Sequence, residues 1–213
     1  MPRAFVFDAY GTLFDVHSVQ AHCESLWPGK GAQLSQLWRT KQLDYTWLRS
    51  LMRRYAPFSQ VTEEALLYCC DFLNLKIQEG ERRSLMAEYR RLALFPDVKH
   101  ALAGLKAKLA ILSNGSPDML DPLVAHSGLR FDAVLSVDAV KVYKPAPEVY
   151  QLAVDRLGVS KADIAFISSN GWDAAGAKSF GFSVYWINRT GAPVEQLGFA
   201  PDRILESLGE ILR

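Results

Sequence analysis

The spacing of hydrophobic positions changes character twice along the chain. Residues 3–8 (Arg-Ala-Phe-Val-Phe-Asp) form a brief apolar run ending in a carboxylate, which predicts a short buried strand followed by a turn at Tyr10-Gly11-Thr12. From about residue 17 to 92 the spacing is helical. Leu34, Leu37, Trp38, Leu48, Leu51 and Met52 recur at helical intervals between Gly31 and Pro57. Thr62-Glu63-Glu64 opens another helix, with Ala65, Leu66, Cys69, Phe72 and Leu73 on one stripe, and a further helix is predicted from about Glu79 to Leu92. No strand is expected in this stretch. After Phe95-Pro96 short apolar runs alternate with helical segments. Strands are predicted at 109–112, 133–136, 164–167 and 184–187, and helices at 101–105, 119–126, 146–157, 173–180 and 204–212.

Strands alternating with helices predict an α/β fold: a Rossmann-like parallel sheet covered on both faces. One strand, then a long helical block, then the remaining units predict a helical cap inserted after the first strand. The expected division is a core of residues 1–14 and 94–213 and a cap of residues 15–93.

Composition narrows the function. The 213 residues are 49% hydrophobic and 22% charged, enough for a sizeable core. With 24 Lys and Arg against 23 Asp and Glu, net charge +1, there is no electrostatic case for a nucleic-acid partner. No apolar window approaches a membrane span, and the start of the chain does not read as a secretion signal. Cys23, Cys69 and Cys70 are odd in number and two are adjacent, so reduced thiols in a cytoplasmic protein are expected. Asn188-Arg189-Thr190 matches a glycosylation acceptor, which carries little weight in that setting. His17, His22, His100 and His126 have no metal-site spacing, no Gly-x-Ser-x-Gly elbow occurs, and Gly29-Lys30-Gly31 lacks full phosphate-loop spacing. No metal or cofactor is expected.

Three predicted strands end in compact polar clusters: Asp8; Ser113-Asn114; and Ser168-Ser169-Asn170 with Asp173. In an open parallel sheet the ligand crevice lies at these carboxyl ends, so the clusters should meet. Taken singly, each also reads as a helix N-cap.

Phe5-Val6-Phe7-Asp8-Ala9-Tyr10-Gly11-Thr12-Leu13 resembles the nucleophile motif of the haloacid dehalogenase superfamily. Leu112-Ser113-Asn114, Lys144-Pro145 and the segment Ser168 to Asp173 resemble its second, third and fourth motifs. The resemblance spans essentially the whole chain. Cap segments from Leu37 to Arg49 resemble the L-2-haloacid dehalogenases in particular. Phosphatases of the superfamily need a second Asp two residues after the nucleophile, and fourth-motif acids to hold Mg²⁺. Here those positions are Tyr10 and Ser169. A halide leaves without a proton, and a 2-haloacid is a monoanion, so displacement at carbon accounts for both departures.

The resemblance implies these roles. Asp8 is the nucleophile, attacking C2 of the haloacid to leave an aspartyl ester; its plain alternative is a strand-end cap. Lys144 keeps Asp8 ionised, or is simply a solvated loop lysine. Ser113 and Thr12, with the backbone N–H groups of Ala9 and Tyr10, bind the substrate carboxylate or brace Asp8. Asn114 and Arg39 receive the halide, the alternative for Arg39 being a surface ion pair with Asp44. Asp173 activates the water that cleaves the ester, supported by Ser168, Asn170 and Lys144. Tyr10, Leu43, Phe58 and Trp172 line the substrate's alkyl group, or are ordinary core. Tyr150 is expected to hydrogen-bond toward Lys144, or to pack in the core. The implied partners are a 2-haloacid, a halide ion and a second copy of the chain, joined through apolar cap residues around Trp47, Leu48, Leu51 and Met52. The alternatives are a phosphatase of the same superfamily and a catalytically silent relative that binds a protein through its cap.

Overall fold

The computed structural model describes residues 2–212. Six parallel strands form one sheet: β1 Ala4–Phe7, β2 Lys108–Ser113, β3 Ala133–Ser136, β4 Ile164–Ser168, β5 Ser183–Ile187 and β6 Arg203–Leu205, in the order β3-β2-β1-β4-β5-β6. β1 and β4 are short apolar runs buried on both faces; every residue of each is buried. β1 lies centrally between β2 and β4, with Phe7 level with Ile111 on one side and Ile167 on the other. The order reverses at β1, and this switch point is where an open α/β sheet leaves a crevice at its carboxyl edge.

Eight helices accompany the strands among the described residues: α1 Gln20–Leu26, α2 Gly31–Leu51, α3 Phe58–Phe72, α4 Glu79–Glu88, α5 Val98–Gly104, α6 Pro117–Ser127, α7 Pro147–Leu157 and α8 Gly171–Phe180. α6 and α7 open with proline at their first position, where the missing N–H costs nothing. Each ends on a left-handed glycine, Gly128 (φ 71°) and Gly158 (φ 63°). α4 opens on a reciprocal capping box between Gln78 and Glu81.

The chain forms two compact units: residues up to 14, 94–114 and from 129 onward in the first, and 15–93 with 115–128 in the second. The first contains the whole sheet. The second is helical, and Trp38 is at its centre. Its indole N–H donates to the Thr62 carbonyl at 2.7 Å, and its ring meets Tyr89 edge-on at 4.9 Å. Gln42 donates to the Thr62 hydroxyl at 2.7 Å, and that hydroxyl donates to the Phe58 carbonyl at 2.7 Å, so the buried polar groups of α2 and α3 satisfy one another. Residues 115–128, expected with the sheet, group with this unit: the Ser59 N–H donates to the Ser116 hydroxyl at 3.1 Å.

The predicted closing helix over 204–212 is corrected. Arg203–Leu205 form β6, paired with Tyr185–Ile187, and Leu208–Leu212 make a 3-10 turn. The apolar spacing of Ile204, Leu205, Leu208, Ile211 and Leu212 imitates a helix. The open edge of β5 offers three residues a ladder instead, and Gly209 weakens any continuous helix through the segment. The helix expected at 79–92 stops at Glu88, and the one expected from Thr62 begins at Phe58, directly after Pro57. No helix among the described residues is long and apolar enough to cross a membrane.

Candidate active site

Asp8 is the first residue past β1. Its backbone N–H still belongs to the sheet, donating to the Ile167 carbonyl at 2.9 Å, so the start of its side chain is fixed by the ladder. The carboxylate is held at both oxygens. Lys144 Nζ donates to Oδ1 at 2.9 Å; Thr12 Oγ1 and Asn170 Nδ2 donate to Oδ2 at 3.0 and 2.9 Å. The Thr12 hydroxyl has one proton. It accepts from the Ser169 N–H at 2.8 Å, which leaves that proton for Asp8. The Asn170 amide also donates to the Tyr10 carbonyl at 3.1 Å, tying the loop after β1 to the loop after β4.

Lys144 bridges two carboxylates, with Nζ also 2.9 Å from Asp173 Oδ2. The side chains of Lys144 and Asp173 are fully buried, and that of Asp8 is 7% exposed. Burial alone would push Lys144 toward its neutral form, but Asp173 and Asp8 together outweigh burial and hold its pKa above the ordinary lysine value. Burial is the main force raising the pKa of Asp173. Lys144 opposes it and Asp8 adds to it, and the carboxyl stays above its usual range. Asp173 lies in the first turn of α8, where a negative charge is favoured. The Tyr150 hydroxyl donates to Asp173 Oδ1 at 2.8 Å, and burial followed by Asp173 pushes the phenol well above its ordinary pKa. α8 approaches closely because residue 176 is glycine. A Cβ there would meet Pro145 Cβ at 2.5 Å and Tyr150 Oη at 2.6 Å.

The cluster therefore sets two carboxyl groups around one ammonium in a buried setting. It can present an ionised, oriented oxygen nucleophile and, beside it, a carboxylate more basic than an ordinary Asp.

Comparison with known proteins agrees with this geometry. Residues 2–181 match the model of the haloacid dehalogenase-like hydrolases. The (S)-2-haloacid dehalogenase of Pseudomonas sp. (strain YL) is 52% identical, covering 99% of this chain and 93% of the relative. The chain belongs to the L-2-haloacid dehalogenase branch of the haloacid dehalogenase-like hydrolases. The haloacetate dehalogenase H-2 of Moraxella sp. (strain B) is 48% identical, covering 94% of this chain and 92% of the relative. The solved L-2-haloacid dehalogenase of Xanthobacter autotrophicus with chloropropionic acid covalently bound superposes with a TM-score of 0.95 at 46% identity, covering 100% of this chain and 98% of that one.

In this dehalogenase the sheet unit brings together Asp8, Thr12, Lys144, Asn170, Asp173 and Tyr150 through direct hydrogen bonds. Ala9 and Tyr10 follow Asp8 and are buried; the Ala9 carbonyl accepts from the N–H groups of Thr12, Leu13 and Phe14, which winds the loop tightly. Ser113 ends β2, fully buried. Asn114 Oδ1 accepts from the Lys144 backbone N–H at 3.1 Å, which fixes the side-chain amide and turns its NH₂ end away from that backbone. Ser168 Oγ accepts from the Asn170 N–H at 3.1 Å, and Trp172 is half-buried in the first turn of α8.

One expected pairing is corrected. Tyr150 bonds to Asp173 rather than Lys144, because α7 and α8 meet at Gly176 and present the phenol to the acid. The Asn170 side chain serves Asp8 and the Tyr10 carbonyl; only its backbone carbonyl reaches Asp173, accepting from that residue's N–H at 3.1 Å.

Arg39, Leu43 and Phe58 belong to the helical unit. Arg39 donates to Gln42 at 2.8 Å, while Asp44 is paired with Lys41 at 3.2 Å. Leu43 is half-buried on α2, and Phe58 opens α3 with 1% exposure. The sequence reading missed Gly176, which looks like one more small residue in Ala-Ala-Gly-Ala. It also missed Trp186, whose indole N–H donates to the Ser169 carbonyl at 3.1 Å and anchors the fourth-motif loop.

Proposed function

We propose that this dehalogenase hydrolyses short L-2-haloalkanoic acids to D-2-hydroxyalkanoic acids, with inversion at C2, through an ester on Asp8. The observation that carries the reading is the bridge of one buried lysine between Asp8 and Asp173. In the first step an Asp8 oxygen forms a bond to C2, and halide departs with the electrons of the carbon–halogen bond. The resting cluster has one uncompensated negative charge; esterification of Asp8 removes it, leaving Lys144 paired with Asp173. In the second step Asp173 takes a proton from water as the oxygen adds to the Asp8 carbonyl carbon. Collapse expels the substrate oxygen, which recovers a proton from Asp173. Bond-breaking in this step is at Asp8, so the inverted configuration at C2 survives. The raised pKa of Asp173 suits this work, since a stronger base removes the water proton more readily.

Tyr10 occupies the place of the phosphatases' second acid, and Ser169 that of a fourth-motif acid. This donor set supplies neither a leaving-group acid nor a cage for a divalent cation, so the reaction is assigned as metal-independent. Ser113, with the Ala9 and Tyr10 N–H groups, is assigned to the substrate carboxylate, Asn114 and Arg39 to the halide, and Tyr10, Leu43, Phe58 and Trp172 to the alkyl group. Thr12 and Asn170 hold Asp8; Ser168 and Tyr150 hold the water-activating side. The assigned division by chain order is a catalytic core of 1–14 with 94–213 and a cap of 15–93, with 115–128 counted in the core by connectivity although they group with the helical unit. A homodimer is assigned to the cap, where Leu51 (81%) at the end of α2, Met52 (61%) directly after it and Phe72 (63%) at the end of α3 are exposed. Burial raises the pKa of all three thiols, Cys23 and Cys69 to about 11 and Cys70 to about 12, which suits unreactive cysteines in a cytoplasmic protein.

Halide release from the two enantiomers of 2-chloropropionate, with chiral analysis of the lactate and with and without EDTA, tests this reading. The L-substrate is expected to give D-lactate, unaffected by EDTA, and the D-substrate to be inert. Equal turnover of both hands, or racemic lactate, contradicts it; loss of activity in EDTA favours a phosphatase-like, metal-dependent mechanism.

A further inference from the structure

A second charged cluster lies beside the nucleophile loop, and the chemistry above makes no use of it. Arg189 is the second residue past β5, at the same edge of the sheet as Asp8. Its guanidinium grips Asp97, just before α5, with two parallel bonds: Nη1 to Oδ2 at 2.9 Å and Nη2 to Oδ1 at 3.0 Å. Nη2 also reaches the Thr12 backbone carbonyl at 3.4 Å. The guanidinium plane is 4.2 Å from the Phe95 ring centroid, and the Phe95 N–H donates to the next carbonyl along, Leu13, at 3.1 Å. Asp97 is itself held by the Leu208 N–H at 2.8 Å. Two successive carbonyls of the loop after Asp8 are thus fixed from one side, by Arg189 directly and by the Phe95 segment on which Arg189 stacks.

We propose that Arg189, clamped by Asp97, is a positioning residue for the nucleophile: it fixes the Thr12 backbone and so the hydroxyl that holds Asp8 Oδ2. This rests on Asp8 being the nucleophile. Thr12 has no slack to absorb a shift of its backbone. Its hydroxyl is pinned between the Ser169 N–H at 2.8 Å and Asp8 at 3.0 Å, so a displaced carbonyl carries the Asp8 carboxylate with it. A guanidinium suits the task because its planar fork can engage a carboxylate with two N–H groups and still aim one nitrogen at a carbonyl. An ammonium at the same site keeps the charge and loses the fork.

The molecule contains its own control. Lys178 and Asp202 make a pair of similar build: Nζ to Oδ1 at 2.6 Å, with Asp202 Oδ2 accepting from the Val184 N–H at 2.8 Å. That pair braces β5 and has no bond to the nucleophile loop among those described. A purely structural role would make the two pairs equivalent.

The test is rapid-quench single turnover with L-2-chloropropionate, following ester on the peptide that holds Asp8 by mass, in wild type and in Arg189→Lys, Asp97→Asn, Lys178→Ala and Asp202→Asn, with a thermal melt of each. Ester formation is expected to slow by about 10- to 100-fold in Arg189→Lys and Asp97→Asn, the scale of a small misplacement of reacting atoms, with KM little changed. The two control variants are expected to melt earlier and form ester at the wild-type rate. Should Asp97→Asn not fold, Arg189→Lys decides alone, because it retains a cation against Asp97. Wild-type ester formation in folded Arg189→Lys, or equal slowing in the controls, overturns the positioning role. No ester in the wild type overturns the nucleophile reading, and the positioning role with it.

Discussion

Two cations in this molecule each stand between two carboxylates, and they differ in almost every other respect. Lys144 joins Asp8 to Asp173 with no side-chain exposure. Arg82 joins Glu63, at 2.5 Å, to Glu79, with side chains 28%, 36% and 57% exposed. Arg82 and its partners are helix-surface residues whose attraction is screened by water and opposed by side-chain entropy. Lys144 is buried away from bulk solvent and its salt, and desolvating three ions costs more than a surface arrangement does. A fold needing only stability would do as well with apolar residues there. Retaining the ions in the interior makes sense for chemistry that needs an ionised, desolvated carboxylate beside a second basic one.

The comparison breaks hardest at Lys144. Lys144→Ala leaves two buried carboxylates facing each other with no cation between them, and is expected to cost about 3–5 kcal/mol of stability. Turnover is expected to fall by at least about 10³-fold, the scale of losing a member of a catalytic unit that acts together. Melting curves and halide release measure the two effects.

Asp173→Asn sharpens it. Turnover is expected to fall by about 10²-fold or more, with ester accumulating on Asp8, since the base for its hydrolysis is gone. Stability should move the other way with pH. A carboxyl whose folded pKa is raised above 3.8 holds its proton more tightly in the folded state, so its contribution to stability falls as pH climbs through that range. The variant lacks that loss. Its melting temperature relative to wild type is expected to rise as pH climbs above the ordinary Asp value of 3.8. A relative fall above that value would mean that Asp173 is stabilised in its charged form.

Arg39→Ala is expected to lower turnover by about 10²-fold if the guanidinium receives the departing halide, with little change in melting temperature. Normal turnover with lowered stability would assign Arg39 to the packing of α2. Arg82→Ala has the smallest expected effect: under about 1 kcal/mol of stability and no change in turnover. A loss like that of Lys144→Ala would remove the distinction between the two clusters.

The sequence shows the core of the site because its residues follow strand ends. Buried parallel strands are short apolar runs, so Ala4–Phe7, Leu109–Leu112 and Ile164–Ile167 stand out, and the polar residue after each is conspicuous. The partners of those residues are less legible. Position in the chain, about one helical turn from Lys144 and after Pro147-Glu148-Val149, points Tyr150 at Lys144. Tyr150's choice of Asp173 depends on how closely α8 approaches α7, which Gly176 decides. Arg189 hid in a segment that resembles a glycosylation acceptor, yet Asn188 is engaged in a local turn, its amide bonded to the Ala192 carbonyl and N–H at 2.9 Å each. The end of the chain misled for a different reason. Apolar spacing there fits a helix, and the deciding factor, the open edge of β5, is supplied by residues eighteen positions earlier.

The central claim is that Asp8 attacks carbon rather than serving as a base for water. Single turnover of L-2-chloropropionate by excess enzyme in ¹⁸O water tests it most directly. The ester route hands the substrate an oxygen already on Asp8, so the account predicts unlabelled lactate and ¹⁸O in the peptide holding Asp8. Labelled lactate from the first turnover, with no label in that peptide, would contradict it and leave Asp8 as the general base.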